Sequence, residues 1–338
     1  MVMASTNKKL GVALVGVGGM GRRWLSAVQN TGAVALRFVC DKDIESAQKI
    51  AGGISGCRAS DDWERVADSP DIDVAIVALP HVLLAPVSSV FLKNKKHVLC
   101  EKPGGMVPQD IKRNIALAKR NNVRYMIGFN HRFHDGFQKM RKLFEEGAIG
   151  DIMFIRARYG FGGRVGYEKE WRFKKEISGG GELIDQGVHM IDMARWFLAD
   201  VSEAKGFTSD AFWHGGAEDN AFVILRNKKG ISASIHVSWT QWKPLHSFEL
   251  YGTEGYFVVE GLGKKYGGEE RLTVGKRTRD FKAEEQSVAC DSNAEKSLEK
   301  ELREFVSAIK ENRESDPSGS DGFEVLKIVH TIYGSEKK

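Results

Sequence analysis

The feature that most constrains this chain is a glycine-rich hexad, Gly16-Val17-Gly18-Gly19-Met20-Gly21, set between a short apolar run and an amphipathic segment. It has the spacing GxGxxG at a strand-to-helix junction. In that pattern Gly16 permits a tight turn, Gly18 lets a pyrophosphate approach the backbone, and Gly21 lets the helix pack closely on its strand. The helix N-terminus, from Gly19 and Met20 onward, then offers oriented N–H groups to phosphate. Asp41 closes the next apolar run, 20 residues past Gly21, where an acid grips the adenosine ribose hydroxyls of a dinucleotide. The bland alternative is a glycine-rich turn and a surface aspartate.

Asp41 also bears on the choice between NAD and NADP. A carboxylate facing a 2′-phosphate costs up to ~4 kcal/mol per pair of unit charges at ~4 Å and an effective dielectric near 20. Lys42 is adjacent and able to offset part of that. NAD is favoured and NADP stays open.

The surroundings of the hexad give it weight. Apolar runs recur at Leu10–Val15, Val34–Cys40, Val74–Leu79, His97–Cys100 and Val123–Phe129. Amphipathic stretches lie between them at Met20–Gln29, Ile44–Ala51, Val82–Leu92 and Ile111–Arg120. Continuous apolar strands alternating with helices predict an α/β, doubly wound parallel sheet, a Rossmann domain over residues 1–129. After Phe129 the pattern changes. Helices are expected at Gly136–Glu146, Gly181–Leu198 and Glu295–Lys310, with a loop at 316–322 before a last helix. Strands are expected at Ile152–Tyr159, Ala221–Arg226, Ile231–Trp239, Ser247–Tyr251, Tyr256–Glu260 and Leu272–Val274. In Ile231–Trp239 the odd positions are apolar and the even ones polar, the period of a strand buried on one face. Such close succession predicts an α+β domain over residues 130–338 with a large, mainly antiparallel open sheet. Its C-terminal helices are free to pack back on the first domain.

Charge and cysteine usage narrow the class further. The 50 basic residues are interleaved with 45 acidic ones, and the densest basic run is only Lys93–Lys96. A phosphate-tracking nucleic-acid binder needs a clustered basic face, so nucleic acid is not an expected partner. The four cysteines, Cys40, Cys57, Cys100 and Cys290, form no CxxC pair and no zinc spacing, which suits a reducing compartment. No stretch reaches the ~18 apolar residues of a membrane span. Lys8-Lys9 before the first apolar run mimic a signal peptide, but that run leads into the glycine motif and reads as a folded strand. A cytoplasmic protein is expected.

Two further segments carry chemistry. Glu101-Lys102-Pro103 directly follows the His97–Cys100 strand, at the carboxyl edge where α/β sheets bind ligands. Farther on, Gly179-Gly180-Gly181 precedes Asp185 and His189, which are four apart and share one face of a predicted helix. Lys102 alone reads equally as a solvated lysine. Asp185 and His189 read also as a structural pair or two metal ligands, with Asp192 one turn beyond. No further cluster completes a metal site, so no metal is expected.

Taken together, the glycine motif, EKP and GGG-x3-D-x3-H resemble the glucose–fructose oxidoreductase, inositol dehydrogenase and rhizopine catabolism family of NAD(P)-dependent oxidoreductases, from about Leu10 to at least Tyr256. The resemblance implies hydride transfer between nicotinamide and a CH–OH carbon of a sugar, cyclitol or nucleotide sugar. It implies that Lys102 hydrogen-bonds the reacting oxygen near the nicotinamide, that His189 is the acid/base, and that Asp185 is its companion. The chemistry agrees: alcohol oxidation releases a proton as hydride departs, and imidazole is suited to taking it up. An ammonium stabilises the developing alkoxide. The resemblance also places Glu101, Leu79, Pro80, His81, Trp171 and Arg172 around the cofactor, and the segment Asn130-His131-Arg132, following the last Rossmann strand, is expected to face the same cleft, with Asn130 near the cofactor. It implies a homodimer or homotetramer joined through an exposed sheet face. Three positions depart from the family pattern. Trp24 and His81 stand where relatives often carry His and Asn, and Leu84 replaces a further His.

Three other functions fit the same scaffold: an NADPH-dependent ketosugar reductase, a glycosidic-bond hydrolase with recycled NAD, and a silent NAD(P)-sensing regulator. Lys102 and His189 speak against the last. Substrate choice falls to loops such as Tyr159–Arg172, whose arginines Arg156, Arg158, Arg164 and Arg172 leave phosphorylated substrates open.

Overall fold

A computed structural model of the chain describes residues 9–335, so Lys8 of the basic pair lies outside the described residues. The chain divides into two compact units. Of the described residues, the first comprises 9–105, 110–128 and 298–320, and the second comprises 106–109, 129–297 and 321–335.

The first unit alternates strand and helix: β1 (Leu10–Val15), α1 (Gly19–Thr31), β2 (Val34–Cys40), α2 (Ile44–Ala51), β3 (Arg58–Ser60), α3 (Trp63–Ala67), β4 (Val74–Val77), α4 (His81–Lys93), β5 (His97–Glu101), α5 (Pro108–Asn121) and β6 (Tyr125–Gly128). Its six strands are all parallel, in the order β3-β2-β1-β4-β5-β6. That is the doubly wound Rossmann order, with the reversal between β1 and β4 creating the ligand crevice at the strand C-termini. Residues in β4 and β6 are buried throughout, as a sheet covered on both faces requires. Two elements went unforeseen. β3 is three residues of Arg-Ala-Ser with no apolar run, and α3 is five residues long.

The second unit holds α6 (Asp135–Glu145), β7 (Ile152–Gly160), α7 (Lys175–Ser178), α8 (Val188–Leu198), β8 (Glu203–Ser209), β9 (Asn220–Arg226), β10 (Ser232–Ser238), β11 (Leu245–Gly252), β12 (Gly255–Leu262), β13 (Tyr266–Arg277) and β14 (Ala283–Ala289). It also takes most of α10 (Gly319–Ser335), whereas α9 (Ala294–Lys310) lies mainly in the first unit. The eight strands run β14-β13-β12-β11-β7-β10-β9-β8, and only the β7–β10 pair is parallel. The other pairs are antiparallel, so the mainly antiparallel open sheet expected from the sequence is present. One face carries Ala157, Tyr159, Val223, Ile235, Val237, Phe248 and Val259, all buried, with α6 and α8 packed on it. The opposite face leaves Phe207, Phe222 and Ile224 exposed.

Sequence and structure differ at several places here. α10 starts at Gly319, inside the stretch expected to be loop, and β8 and β14 were not anticipated. The expected helix from Gly181 to Leu198 opens as a π-helical turn over Leu183–Gly187 before becoming α8. No helix among the described residues is long and apolar enough to cross a membrane.

Candidate active site

The first unit assembles the glycine turn at the C-terminal end of β1. Gly16 has φ +92°, and a Cβ there would stand 2.3 Å from the Ala78 carbonyl oxygen, so only glycine fits. A Cβ on Gly21 would stand 1.9 Å from the Gly16 carbonyl, which is the close helix–strand approach read from the sequence. Gly18 and Gly19 are different. Nothing of the protein lies within 4 Å of a Cβ built on either, and both are exposed. The N-terminus of α1 has no side-chain cap and no acidic residue in its first turn. Unfilled space over glycine beside uncapped helical N–H groups is what a dinucleotide pyrophosphate requires, so the residues present fit that group.

Asp41 stands just past β2. Its carboxylate accepts the Val17 N–H (2.7 Å) and the Asp43 N–H (3.0 Å), which locks it beside the glycine turn. A carboxylate has further lone pairs for ribose hydroxyls. Lys42 is exposed at the next position. Leu79 and Pro80 follow β4 partly exposed, while His81 opens α4 buried.

At the end of β5, Glu101 is buried and accepts the Trp24 indole N–H at 2.7 Å. Burial pushes the Glu101 carboxyl up, opposed by the Lys102 charge and by this hydrogen bond. Trp24, the departure from the family pattern, therefore serves the structure, anchoring from within α1 the strand end that carries Lys102. Lys102 itself is partly exposed, and the Lys102–Pro103 peptide bond is cis.

In the second unit the π turn and α8 present a buried polar row: Glu182, Asp185, Gln186 and His189. Arg172 donates to Asp185 (3.0 Å) and to Glu170 (3.2 Å), and Glu170 also takes a two-pronged pair from Arg164 (2.7 and 2.6 Å). The Arg172 guanidinium lies 4.8 Å from the Trp171 ring centroid. Arg164 and Arg172 thus face carboxylates of the same unit rather than standing ready for a phosphorylated substrate, as does Arg156, which pairs with Glu249 at 2.6 Å.

The turn after Phe129 makes side-chain bonds within its own unit. Asn130 donates its amide to Ser297 at 3.1 Å. Arg132 forms a buried two-pronged pair with Asp192 (2.8 and 2.6 Å) and reaches Asp321 at 3.1 Å. Asp192 is thereby committed to an arginine, and no group of three or more candidate ligands for a metal occurs among the described residues. His131 lays its ring flat on His189, centroids 3.9 Å apart and planes 8° off parallel. Trp213 and Trp239 pack with Phe161, Tyr167 and Phe173 in an apolar cluster, whereas Trp242 is exposed.

A positioning device escaped sequence reasoning altogether. The Glu218 backbone carbonyl accepts the Glu182 N–H (2.9 Å), and its carboxyl accepts the Leu183 N–H (3.3 Å) and the Tyr333 hydroxyl (2.5 Å). The π turn bearing Asp185 is thus capped by a residue 35 positions away and by the last helix. No local spacing signals such a contact.

Comparison with known proteins places this geometry. A model described as an oxidoreductase family with an NAD-binding Rossmann fold matches residues 10–129, and the GFO/IDH/MocA C-terminal domain model matches residues 137–258. Levoglucosan dehydrogenase of Pseudarthrobacter phenanthrenivorans is 27% identical over 249 residues, 66% of this chain and 64% of its own length. The chain therefore spans just under two thirds of that relative. Inositol 2-dehydrogenase of Rhizobium meliloti is 27% identical over 330 residues, 94% of this chain and 93% of its own. A solved structure of levoglucosan dehydrogenase in complex with NADH and levoglucosan superposes with a TM-score of 0.88 at 25% identity, covering 97% of each chain.

Proposed function

This chain belongs to the GFO/IDH/MocA family of oxidoreductases with an NAD-binding Rossmann fold, and from that premise we propose that it transfers hydride between NAD and the CH–OH carbon of a sugar or cyclitol. The observation that carries the reading is the open space over Gly18 and Gly19 at an uncapped helix, next to a carboxylate locked beside the turn. Sugar and cyclitol substrates are supported by the likeness to levoglucosan and inositol dehydrogenases.

Bound NAD⁺ supplies the hydride acceptor. The chain's own residues divide the remaining work. Glycine-turn N–H groups hold the pyrophosphate, and Asp41 takes the adenosine ribose hydroxyls. Its charge favours NAD over NADP, with Lys42 as the offsetting cation. Lys102 donates to the substrate oxygen and stabilises the alkoxide that forms as hydride leaves. His189 accepts the hydroxyl proton at a ring nitrogen. Arg172 holds the Asp185 carboxylate in one orientation, so it is ordered before substrate arrives. In reduction the same groups return the proton.

The reading extends to a cytoplasmic enzyme, in keeping with four free cysteines, and to a homodimer or homotetramer joined through the sheet face of Phe207, Phe222 and Ile224. Polyols, anhydrosugars and nucleotide sugars are screened for NAD⁺ reduction, alongside Lys102→Ala and His189→Ala. Each variant is expected to lose kcat by ~10²-fold or more with NAD⁺ affinity retained. Unchanged turnover in either removes that residue from the mechanism.

A further inference from the structure

The second unit carries exposed aromatic side chains that hydride transfer does not use. Phe161, Tyr167, Phe173 and Trp239 form a buried cluster, and Trp213 packs against it from outside. Beyond Trp213 the rings continue into solvent. Phe212 meets Trp213 edge to face at 5.2 Å and Trp242 at 4.9 Å. Phe212 is 53% exposed and Trp242 is 62% exposed. The core does not need these two rings, yet the chain holds them in place.

The buried Asp219 carboxylate accepts three successive N–H groups, from Ala211 (2.9 Å), Phe212 (2.8 Å) and Trp213 (3.0 Å). The Trp213 indole N–H donates to the Trp239 carbonyl at 2.9 Å. Just before Trp242, the Thr240 N–H donates to the Ser238 hydroxyl and the Thr240 hydroxyl accepts the Asn220 amide, both at 2.9 Å. The two indoles then lie against two consecutive glycines. A Cβ on Gly162 would stand 2.9 Å from Trp242 Cε3, and one on Gly163 would stand 2.4 Å from Trp213 Cζ2.

The same loop is tied to the candidate active site. Arg164, which follows Gly163, is bidentate on Glu170; Glu170 accepts Arg172, and Arg172 donates to Asp185. A run of ion pairs thus joins the loop under the indoles to the carboxylate four residues before His189. We propose that Phe212 and Trp242 form a sugar-stacking subsite, and that the substrate is a glycoside whose second ring lies on them while the first reacts. This rests on the reading of the chain as a sugar dehydrogenase.

Aromatic faces are apolar and electron-rich, the complement of the C–H face of a pyranose. His214 and Gln241, sequence neighbours of the two tryptophans, bring polar groups for its hydroxyls. Rings pinned beforehand lose little freedom on binding. A subunit contact fits this patch less well. Two rings of this exposure offer roughly 300 Å² at most, against about 800 Å² per partner in a stable protein interface.

The test is a calorimetric titration of the full chain, with and without NADH. The probes are methyl α-D-glucopyranoside paired with methyl α-maltoside, and methyl β-D-glucopyranoside paired with methyl β-cellobioside. These closed acetals offer NADH no carbonyl to reduce, so binding is read without turnover. In at least one pair the two-ring probe is expected to bind at least about tenfold tighter than its one-ring partner. Trp242→Ala and Phe212→Ala are each expected to bring that ratio toward one, and Trp242→Gln replaces the alanine variant if that does not fold. A merely structural role lowers the melting temperature and weakens both probes alike, with the ratio intact. Equal binding of one-ring and two-ring probes by wild type, no binding of either two-ring probe, or a ratio that survives the variants overturns the inference. So does a changed sedimentation coefficient in Trp242→Ala with the ratio intact, which marks a contact with a second copy. Failure of the dehydrogenase reading shows differently: no sugar of one ring or two reduces NAD⁺, whatever the binding ratio.

Discussion

The two units each begin a helix with clustered glycines, and the two clusters are built for opposite purposes. Over Gly18 and Gly19 in the first unit the protein leaves space, and α1 begins without a side-chain cap. At Gly179–Gly181 in the second unit every added Cβ would meet the protein itself. The nearest atom is Met106 Cβ at 3.2 Å for Gly179, the Tyr333 hydroxyl at 2.2 Å for Gly180 and the Glu218 carbonyl at 2.0 Å for Gly181. A helix start leaves backbone N–H groups without intrahelical partners, and a negative group there is stabilising. In the first unit that group is left to a ligand; in the second, Glu218 supplies it. Glycine in a sequence therefore has two physical meanings, room for a ligand or room for the chain, and only the surroundings in space tell them apart.

The largest effect that tests this contrast is expected at the closed cluster. Gly181→Ala forces a Cβ against backbone and should destabilise the chain by ~3 kcal/mol in urea unfolding, as overpacking against rigid neighbours does. An unchanged midpoint would mean that the cluster is not closed. Glu218→Gln is expected to cost ~2 kcal/mol, because burial raises this carboxyl yet two donors depend on it. The dryness of the second unit also gives a pH signature. His246 is fully buried, hydrogen-bonds at neither ring nitrogen, and is pulled by burial from 6.5 to about 3. Between those values the unfolded chain binds a proton that the folded chain refuses, so stability rises with pH through that window. From this group alone the unfolding free energy falls by ~1.4 kcal/mol for each pH unit below 6.5, and is fully present above it. His246→Phe should flatten that slope; a parallel slope in both proteins would place the sensitivity elsewhere. The smallest stability effect belongs to Gly18→Ala, within ~0.5 kcal/mol of wild type since its Cβ meets nothing.

How much of this was legible from the sequence follows the same physics. β1, β4 and β5 are buried on both faces, as is the end of β2, and all four announce themselves as apolar runs. β3, β8 and β14 do not, since edge or exposed strands such as Ala283–Ala289 carry little apolar signal. The residues of the glycine turn and Asp41 were legible because local spacing dictates them. The Glu218–Tyr333 cap spans 115 positions, and the Arg132–Asp192 pair spans 60. Pairings at that separation arise from the second unit's tertiary packing, which no periodicity encodes. That is why the sequence shows where Arg132 stands after the last Rossmann strand but not its buried aspartate partner. The π turn was equally hidden, because its apolar spacing is that of an ordinary helix.

The most direct measurement is calorimetric titration of NAD⁺ and NADP⁺ into wild type and Gly18→Ala, paired with thermal melts of both proteins. The expected result is NAD⁺ binding to wild type, at least about tenfold weaker binding of NADP⁺, and at least about tenfold loss of NAD⁺ affinity in the variant at an unchanged melting temperature. Equal affinity in the two proteins, or no binding of either cofactor to wild type, would contradict the assignment of the open glycine turn to a dinucleotide.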